Sequence, residues 1–348
     1  MKNYKKWLVK LLISNALIVL PVAVAVMGFN YYIDPLWNFN HKNDWNDYQA
    51  GFDERQQKTN YIVNRPFDYD SLLMGTSRVT YMDQHEFQKD KVFNYSLSSL
   101  HIDEYQPYVD FAKKQNGKAF DKIYMELYFE SFNGEVKNLL GSPDTYFEEA
   151  ESPFYKYTSL FSYSTLQKSL DNKKYSEENS FPGPRSYNRE NVAATSMTND
   201  RLPVLLDRYK KHFADNQFKG TYPYDEKYKE KLAALKKANP SSEFIVFTDP
   251  IPVERMKIVL NNPVYWEAYE RWYREMTDVY GTVYSFQNVS EYTANRKYWF
   301  DWFHYYPAVG DLMIAELEGR ENGSDFCVKV TKENVDQYLT QLKADLAE

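Results

Sequence analysis

The residues from Leu11 to about Phe29 form an apolar run interrupted only by Ser14, Asn15, Pro21 and Gly28. As a helix rising about 1.5 Å per residue it extends roughly 28 Å, the thickness of a bilayer's hydrocarbon core. Lys2, Lys5, Lys6 and Lys10 precede it. Basic flanks stay in the cytoplasm, so the order expected is a cytoplasmic flank at 1–10, a transmembrane anchor at 11–29 and an extracytoplasmic domain at 30–348. Ala23 and Ala25 also offer the small-x-small site of a cleavable signal peptide. Tyr31, Tyr32 and Trp37 suit an interfacial aromatic anchor, which favours retention. On either reading the rest of the chain leaves the cytoplasm, and a membrane is its first partner.

Beyond the anchor the chain alternates between two periodicities. SLLM (71–74), VFNYSL (92–97), KIYMELYF (122–129), EFIVFTD (243–249) and TVYSF (282–286) read as strands. Between them, Ile102, Tyr105, Tyr108, Val109 and Ala112 recur at helical spacing, and Tyr224 to Lys237 is rich in Lys, Leu and Ala. A further helix is expected from Asp53 to Asn64. Strands separated by helices predict an α/β fold with about five mostly parallel strands. FCVKV (326–330) reads as an edge strand. A last helix from about Lys332 shows Val335, Tyr338, Leu339 and Leu342 on one face. A long insert at about 134–222 carries no clear strand and includes PGPR (182–185). It reads as a helical and irregular cap over the site, or else as a flexible insertion.

Charge and cysteine content remove several function classes. A net charge of −7 argues against nucleic acid as a partner. The single cysteine, Cys327, excludes an intrachain disulfide and any cysteine-based metal site. There is no P-loop, GxGxxG or HExxH motif, and neither a metal nor an organic cofactor is implied. The 32 Tyr suit a wet, sugar-binding surface and suit a tyrosine-filled core equally.

Two segments can carry chemistry. MGTSRV sets Ser77 just after a predicted strand, where open α/β sheets bind ligands. A serine at the start of the following helix has backbone N–H groups nearby to steady an oxyanion, although serine is also a common helix N-cap. YWFDWFHYYP (298–307) holds Asp301 and His304 three residues apart, on one side of a turn or first helical turn. A carboxylate bonded to one ring nitrogen fixes the tautomer in which the other accepts a serine proton. The other histidines sit near the membrane (His41), in polar helix starts (His85, His101) or in a lysine-rich helix (His212).

The ordered pair, strand-GxSR early and DxxH late, resembles the SGNH hydrolase superfamily. More narrowly, the anchor, Tyr-Tyr-x-Asp-Pro (31–35), Arg55 with Lys58, LLMGTSRV (72–79) and FDWFHYYPAVGDLM (300–313) are similar to a bacterial group of anchored SGNH-like proteins. That group is related to the teichoic-acid D-alanylation protein and to the alginate-type polysaccharide O-acetyltransferases. The likeness covers 30–130 and 240–318. It implies a three-layer α/β/α sandwich, with Ser77 as nucleophile, His304 as general base and Asp301 orienting the base. It further implies acyl transfer or ester hydrolysis on cell-surface polysaccharide or teichoic acid, and a multispanning membrane O-acyltransferase as partner. The family's oxyanion glycine would fall near Ser99, and its oxyanion asparagine near Tyr128, so neither residue type is kept. Arg78 either binds an anionic substrate group or pairs with an acid. The alternative is a scaffold or glycan-binding module that keeps the fold without the chemistry; a secreted lipid esterase would need an apolar groove instead.

Overall fold

The computed structural model describes residues 2–50, 53–136, 140–180, 183–215, 222–320 and 325–347. Chain contacts divide it into two units: Met1–Pro66 with Thr145–Glu190, and Phe67–Asp144 with Asn191–Glu348. The expected domain at 30–348, with its insert at about 134–222, contributes residues to both units. Residues 145–190 pack with the N-terminal segment, and the remainder of the insert belongs to the second unit.

The first unit is built on one helix, Lys2–Ile33, long and apolar enough to cross a membrane. Leu17, Ile18, Val19, Leu20, Val22 and Val24 on it are each at least 60% exposed, so no protein core accounts for their apolarity. Beyond it the chain turns sharply, with Asp34 and Trp37 both at positive φ. Asp34 accepts from the backbone N–H groups of Asn38 (2.8 Å) and Phe39 (3.0 Å) and pairs with Arg189 at 2.7 Å. Burial outweighs this arginine and pushes the Asp34 carboxyl above its usual range. Tyr31 and Tyr32 remain exposed, as an interfacial pair would. Trp37 does not: it is fully buried and its indole N–H donates to Gln49, because the left-handed turn swings it inward.

Helix Glu54–Asn64 is capped by the Asp53 side chain on Gln56 N. Arg55 and Lys58 of the expected motif are both buried on it. Burial pushes the Lys58 ammonium down to about 7 despite the opposing charge of Glu54. Glu54 in turn pairs with Arg185 and accepts from Tyr187 Oη at 2.8 Å. Ser186–Tyr187, inside the insert, also pairs antiparallel with Gln49–Ala50. That two-residue strand is too short to leave a sequence pattern.

The second unit holds a six-stranded sheet. Its strands are β1 (Ser71–Met74), β2 (Val92–Asn94), β3 (Lys122–Glu126), β4 (Glu243–Thr248), β5 (Thr282–Ser285) and β6 (Val328–Thr331), in the order β2-β1-β3-β4-β5-β6. The first five are parallel: Leu72 lies opposite Phe93 and Ile123, Tyr124 opposite Ile245, and Phe247 opposite Tyr284. β6 runs antiparallel at the edge, with Val330 opposite Val283. β1 is buried along its whole length and β3 nearly so, which is why both read as unbroken apolar runs. The expected mostly parallel α/β fold is therefore present, with strands shorter than the apolar runs suggested. Helices Tyr105–Asn116, Tyr228–Ala238, Pro263–Tyr280, Pro307–Leu317 and Val335–Ala347 accompany the sheet. From β1 the chain adds β2 on one side and β3 on the other. In open parallel sheets the crevice for ligands opens at the C-terminal ends of the strands where the order reverses in this way.

Candidate active site

Gly75, Thr76 and Ser77 leave the C-terminal end of β1 in a tight turn. A Cβ on Gly75 would stand 2.4 Å from Val79 Cγ2 and 2.7 Å from Glu126 Oε2, so only glycine lets the turn close on β3. Glu126, the last residue of β3, is fully buried and accepts from Thr76 N and from Thr76 Oγ1 at 3.1 Å. Ser77 leads into a single 3-10 turn, Val79–Tyr81, and not into the α-helix expected. A helix dipole therefore lends Ser77 nothing; the buried side chains beneath it hold the turn.

Arg78 supplies most of that support. Its Nε donates to Thr76 Oγ1 and to Glu126 Oε1, both at 3.1 Å, and its Nη1 lies 3.0 Å from Asp249 Oδ2, just after β4. Burial works against its charge, but Asp249 and Glu126 outweigh it and hold the guanidinium protonated more firmly than usual. Asp249 is pushed up to about 7 by burial, against the pull of Arg78 and with the repulsion of Glu126. Of the two roles expected for Arg78, pairing with acids is the one observed.

Asp301 and His304 sit on a loop pinched by the antiparallel bridge between Trp299 and Tyr305. Asp301 Oδ1 accepts from the backbone N–H groups of Phe303 (2.7 Å) and His304 (2.8 Å), which curls the loop into an Asx turn. Helix Pro307–Leu317 then starts with proline in its first turn. That helix lies close against the Val79–Tyr81 turn: a Cβ on Gly310 would stand 2.6 Å from Tyr81 O. Gly310 thus allows the histidine-bearing segment to approach the serine-bearing one.

The outcome is a chain of hydrogen bonds. Ser77 Oγ lies 2.9 Å from His304 Nε2, and His304 Nδ1 lies 2.9 Å from Asp301 Oδ2. Burial raises the Asp301 carboxyl, but the bond and charge of His304, with the two loop amides, outweigh this and hold it below the usual range. An ionised Asp301 favours a proton on Nδ1 and leaves Nε2 to accept from the serine hydroxyl. Phe300 stacks on the imidazole at an interplanar angle of 6°, and Tyr81 meets it edge-on. Both rings restrict the imidazole to this orientation.

Ser77 and His304 border a cleft of about 520 Å³, lined also by Arg78, Ser99, His101, Tyr128, Glu130, Val136, Leu140 and Phe303. Val136 and Leu140 bring the start of the expected insert to the cleft wall. Ser99 is exposed there with φ of +52°, a conformation normally left to glycine. Tyr128 gives its hydroxyl proton to Leu100 O at 3.0 Å, and its ring lies 5.0 Å from the Arg78 guanidinium. That proton is committed, so Tyr128 offers the cleft a ring face and no oxyanion donor. His101 caps the turn Ile102–Glu104, and its Nε2 lies 3.1 Å from Val136 O. Cys327 lies on no wall of this cleft; it is half-buried beside β6.

Sequence reasoning missed Glu126, Asp249 and the pair Glu130–Arg255. Arg255 is buried with its guanidinium 4.2 Å from the Phe303 ring, so it braces the loop that carries Asp301 and His304. Burial would raise Glu130, but Arg255 and Arg78 hold it below the usual carboxylate range. A signal was present for the first two: each is an acid ending an apolar strand, at KIYME and EFIVFTD. Among the described residues, no group of three His, Cys, Asp or Glu side chains is arranged to hold a metal ion. No family model matches this chain, and no curated protein matches it closely enough to count as a relative.

Proposed function

We propose that this chain is a membrane-anchored, serine-dependent acyltransferase or esterase of the SGNH type, acting on O-acyl groups of cell-surface polysaccharide or teichoic acid. The observation that carries the reading is the Ser77–His304–Asp301 chain of hydrogen bonds opening into a cleft at the strand ends. Ser77 Oγ attacks the acyl carbonyl while His304 Nε2 takes its proton. The tetrahedral intermediate collapses as His304 returns that proton to the leaving alkoxide, and an acyl-serine remains. A sugar hydroxyl or water, deprotonated by the same nitrogen, then accepts the acyl group and frees Ser77. Asp301 stays ionised throughout and balances the imidazolium.

The parallel sheet and the strand order support an SGNH-type sandwich, and the exposed apolar helix supports an N-in, C-out anchor. Ser99, in a glycine-like conformation on the cleft wall, supports the expected location of an oxyanion donor. The acyl supply from a multispanning membrane O-acyltransferase remains part of this reading. The second reading, a glycan-binding module without chemistry, is favoured by Tyr128, which stands near where the resemblance expects an asparagine and gives its phenol proton to Leu100 O. Intact-mass analysis after treatment with a serine-reactive phosphonate separates the two. A single adduct that disappears in Ser77→Ala supports the enzyme; no adduct on the folded protein favours the binding module.

A further inference from the structure

We infer that the first unit has a second membrane contact besides its helix: Phe161 enters the outer leaflet, and the hollow between it and the helix holds a lipid acyl chain. This rests on the reading of Lys2–Ile33 as a membrane anchor. The 3-10 turn Ser159–Phe161 and the helix Tyr163–Glu177 both lie against that anchor. Phe161 borders a hollow of about 340 Å³ whose other walls are Ile18, Val19, Val22, Ala23 and Val26. The hollow is lined by apolar side chains alone. Phe161 itself is 59% exposed, and Phe154, Tyr157 and Tyr163 around it are exposed by 71%, 51% and 72%.

Depth along the helix identifies what covers this surface. Tyr31 and Tyr32 mark the water–lipid boundary, with Trp45 packed edge-on against Tyr32. At a rise of about 1.5 Å per residue, the helix positions lining the hollow lie roughly 8 to 20 Å below Tyr31, within the hydrocarbon. The backbone of the turn stays near the boundary, and its polarity is met there: Asn30 Nδ2 donates to Leu160 O at 2.8 Å, and Ser162 N to Ser159 O at 3.1 Å. The Phe161 ring reaches the deeper helix positions Ile18 to Val26 that wall the hollow. A wall made of the anchor itself faces lipid tails on its free side, so an acyl chain is the occupant that this depth supplies.

The test uses the full chain in nanodiscs of phosphatidylcholine and phosphatidylglycerol. Cys327→Ser gives a background without cysteine, and nitroxides are attached singly at Phe161→Cys, Leu20→Cys and Lys297→Cys. Collision with dissolved oxygen and with a water-soluble nickel chelate is then measured at each. The expected result is a lipid-like pattern at 161 and at 20, with oxygen collisions severalfold favoured over nickel, and an aqueous pattern at 297. A lipid-like label at 20 with an aqueous label at 161 overturns this inference and leaves the anchor standing. A label at 161 shielded from both reagents overturns it in favour of a protein partner on that surface. An aqueous label at 20 removes the anchor reading, and this inference with it.

Discussion

Arg78 Nη1 lies 3.0 Å from Asp249 Oδ2, joining the turn that carries Ser77 to the buried residue that follows β4. One guanidinium therefore faces two buried carboxylates, Glu126 and Asp249. Removing it leaves Glu126 with Thr76 alone and takes the ion-pair partner from Asp249. Arg78→Met should destabilise the fold by about 3–5 kcal/mol, the usual cost of breaking a buried pair from one side. Arg78→Lys should recover only part, because an ammonium cannot reproduce the fork that spans Thr76, Glu126 and Asp249. Urea unfolding of the three proteins measures this, and wild-type stability in Arg78→Met would contradict it.

The same cluster makes stability depend on pH. Asp249 titrates at about 7 when folded, well above an unfolded carboxyl. Between those values the folded state holds a proton that the unfolded state has lost. The contribution of Asp249 to stability should therefore fall as pH rises from about 4 to about 7, by at most about 1.4 kcal/mol per unit, and change no further above that. Asp249→Asn should flatten this slope. A slope unchanged in that variant would show that another group sets it.

Loss of the hydroxyl or the imidazole should stop acyl turnover. Ser77→Ala and His304→Ala are each expected to lower kcat by about 10³-fold or more, and the double variant little further, because the two groups act as a unit. Asp301→Asn should cost less, since it retains the loop bonds but favours the wrong tautomer. Near-normal circular dichroism in all three would tie the loss to chemistry. Full turnover of an ester substrate by Ser77→Ala would leave the binding module as the better reading.

Gly310 is distant in sequence from Ser77 yet should matter to it. In Gly310→Ala the new methyl meets Tyr81 O at 2.6 Å, so helix Pro307–Leu317 must move away from the Val79–Tyr81 turn. The expected effects are about 1–3 kcal/mol of lost stability and a fall in kcat that exceeds any change in KM. An alanine variant with wild-type kcat would show that the His304 loop tolerates this displacement.

Topology is open to a direct measurement. The lysines before the apolar run predict an N-terminus inside and both units outside. Protease added to intact spheroplasts should degrade the chain beyond residue 30, and complete protection would reverse the orientation.

Local periodicity made much of this molecule legible. The apolar run predicted the helix Lys2–Ile33, five strands were located by unbroken hydrophobic stretches, and the edge strand near FCVKV and the last helix were visible as patterns. Ser77, Asp301 and His304 stood out through the ordered motifs GTSR and DxxH and because the chain has only 5 His. These features depend on neighbours within one turn or one strand, so the sequence by itself determined them. Tertiary structure alone decided the rest. Trp37 looks like a membrane-facing aromatic in sequence and is buried because the backbone at Asp34 and Trp37 turns left-handed. Arg189 and Arg185 draw part of the supposed insert onto the N-terminal segment through Asp34 and Glu54. Glu126 ends β3 and Asp249 follows β4, and only the parallel order of β1, β3 and β4 brings both carboxylates to one guanidinium. Contacts of this kind are set by strand order and close backbone approach, and neither leaves a periodic trace along the chain.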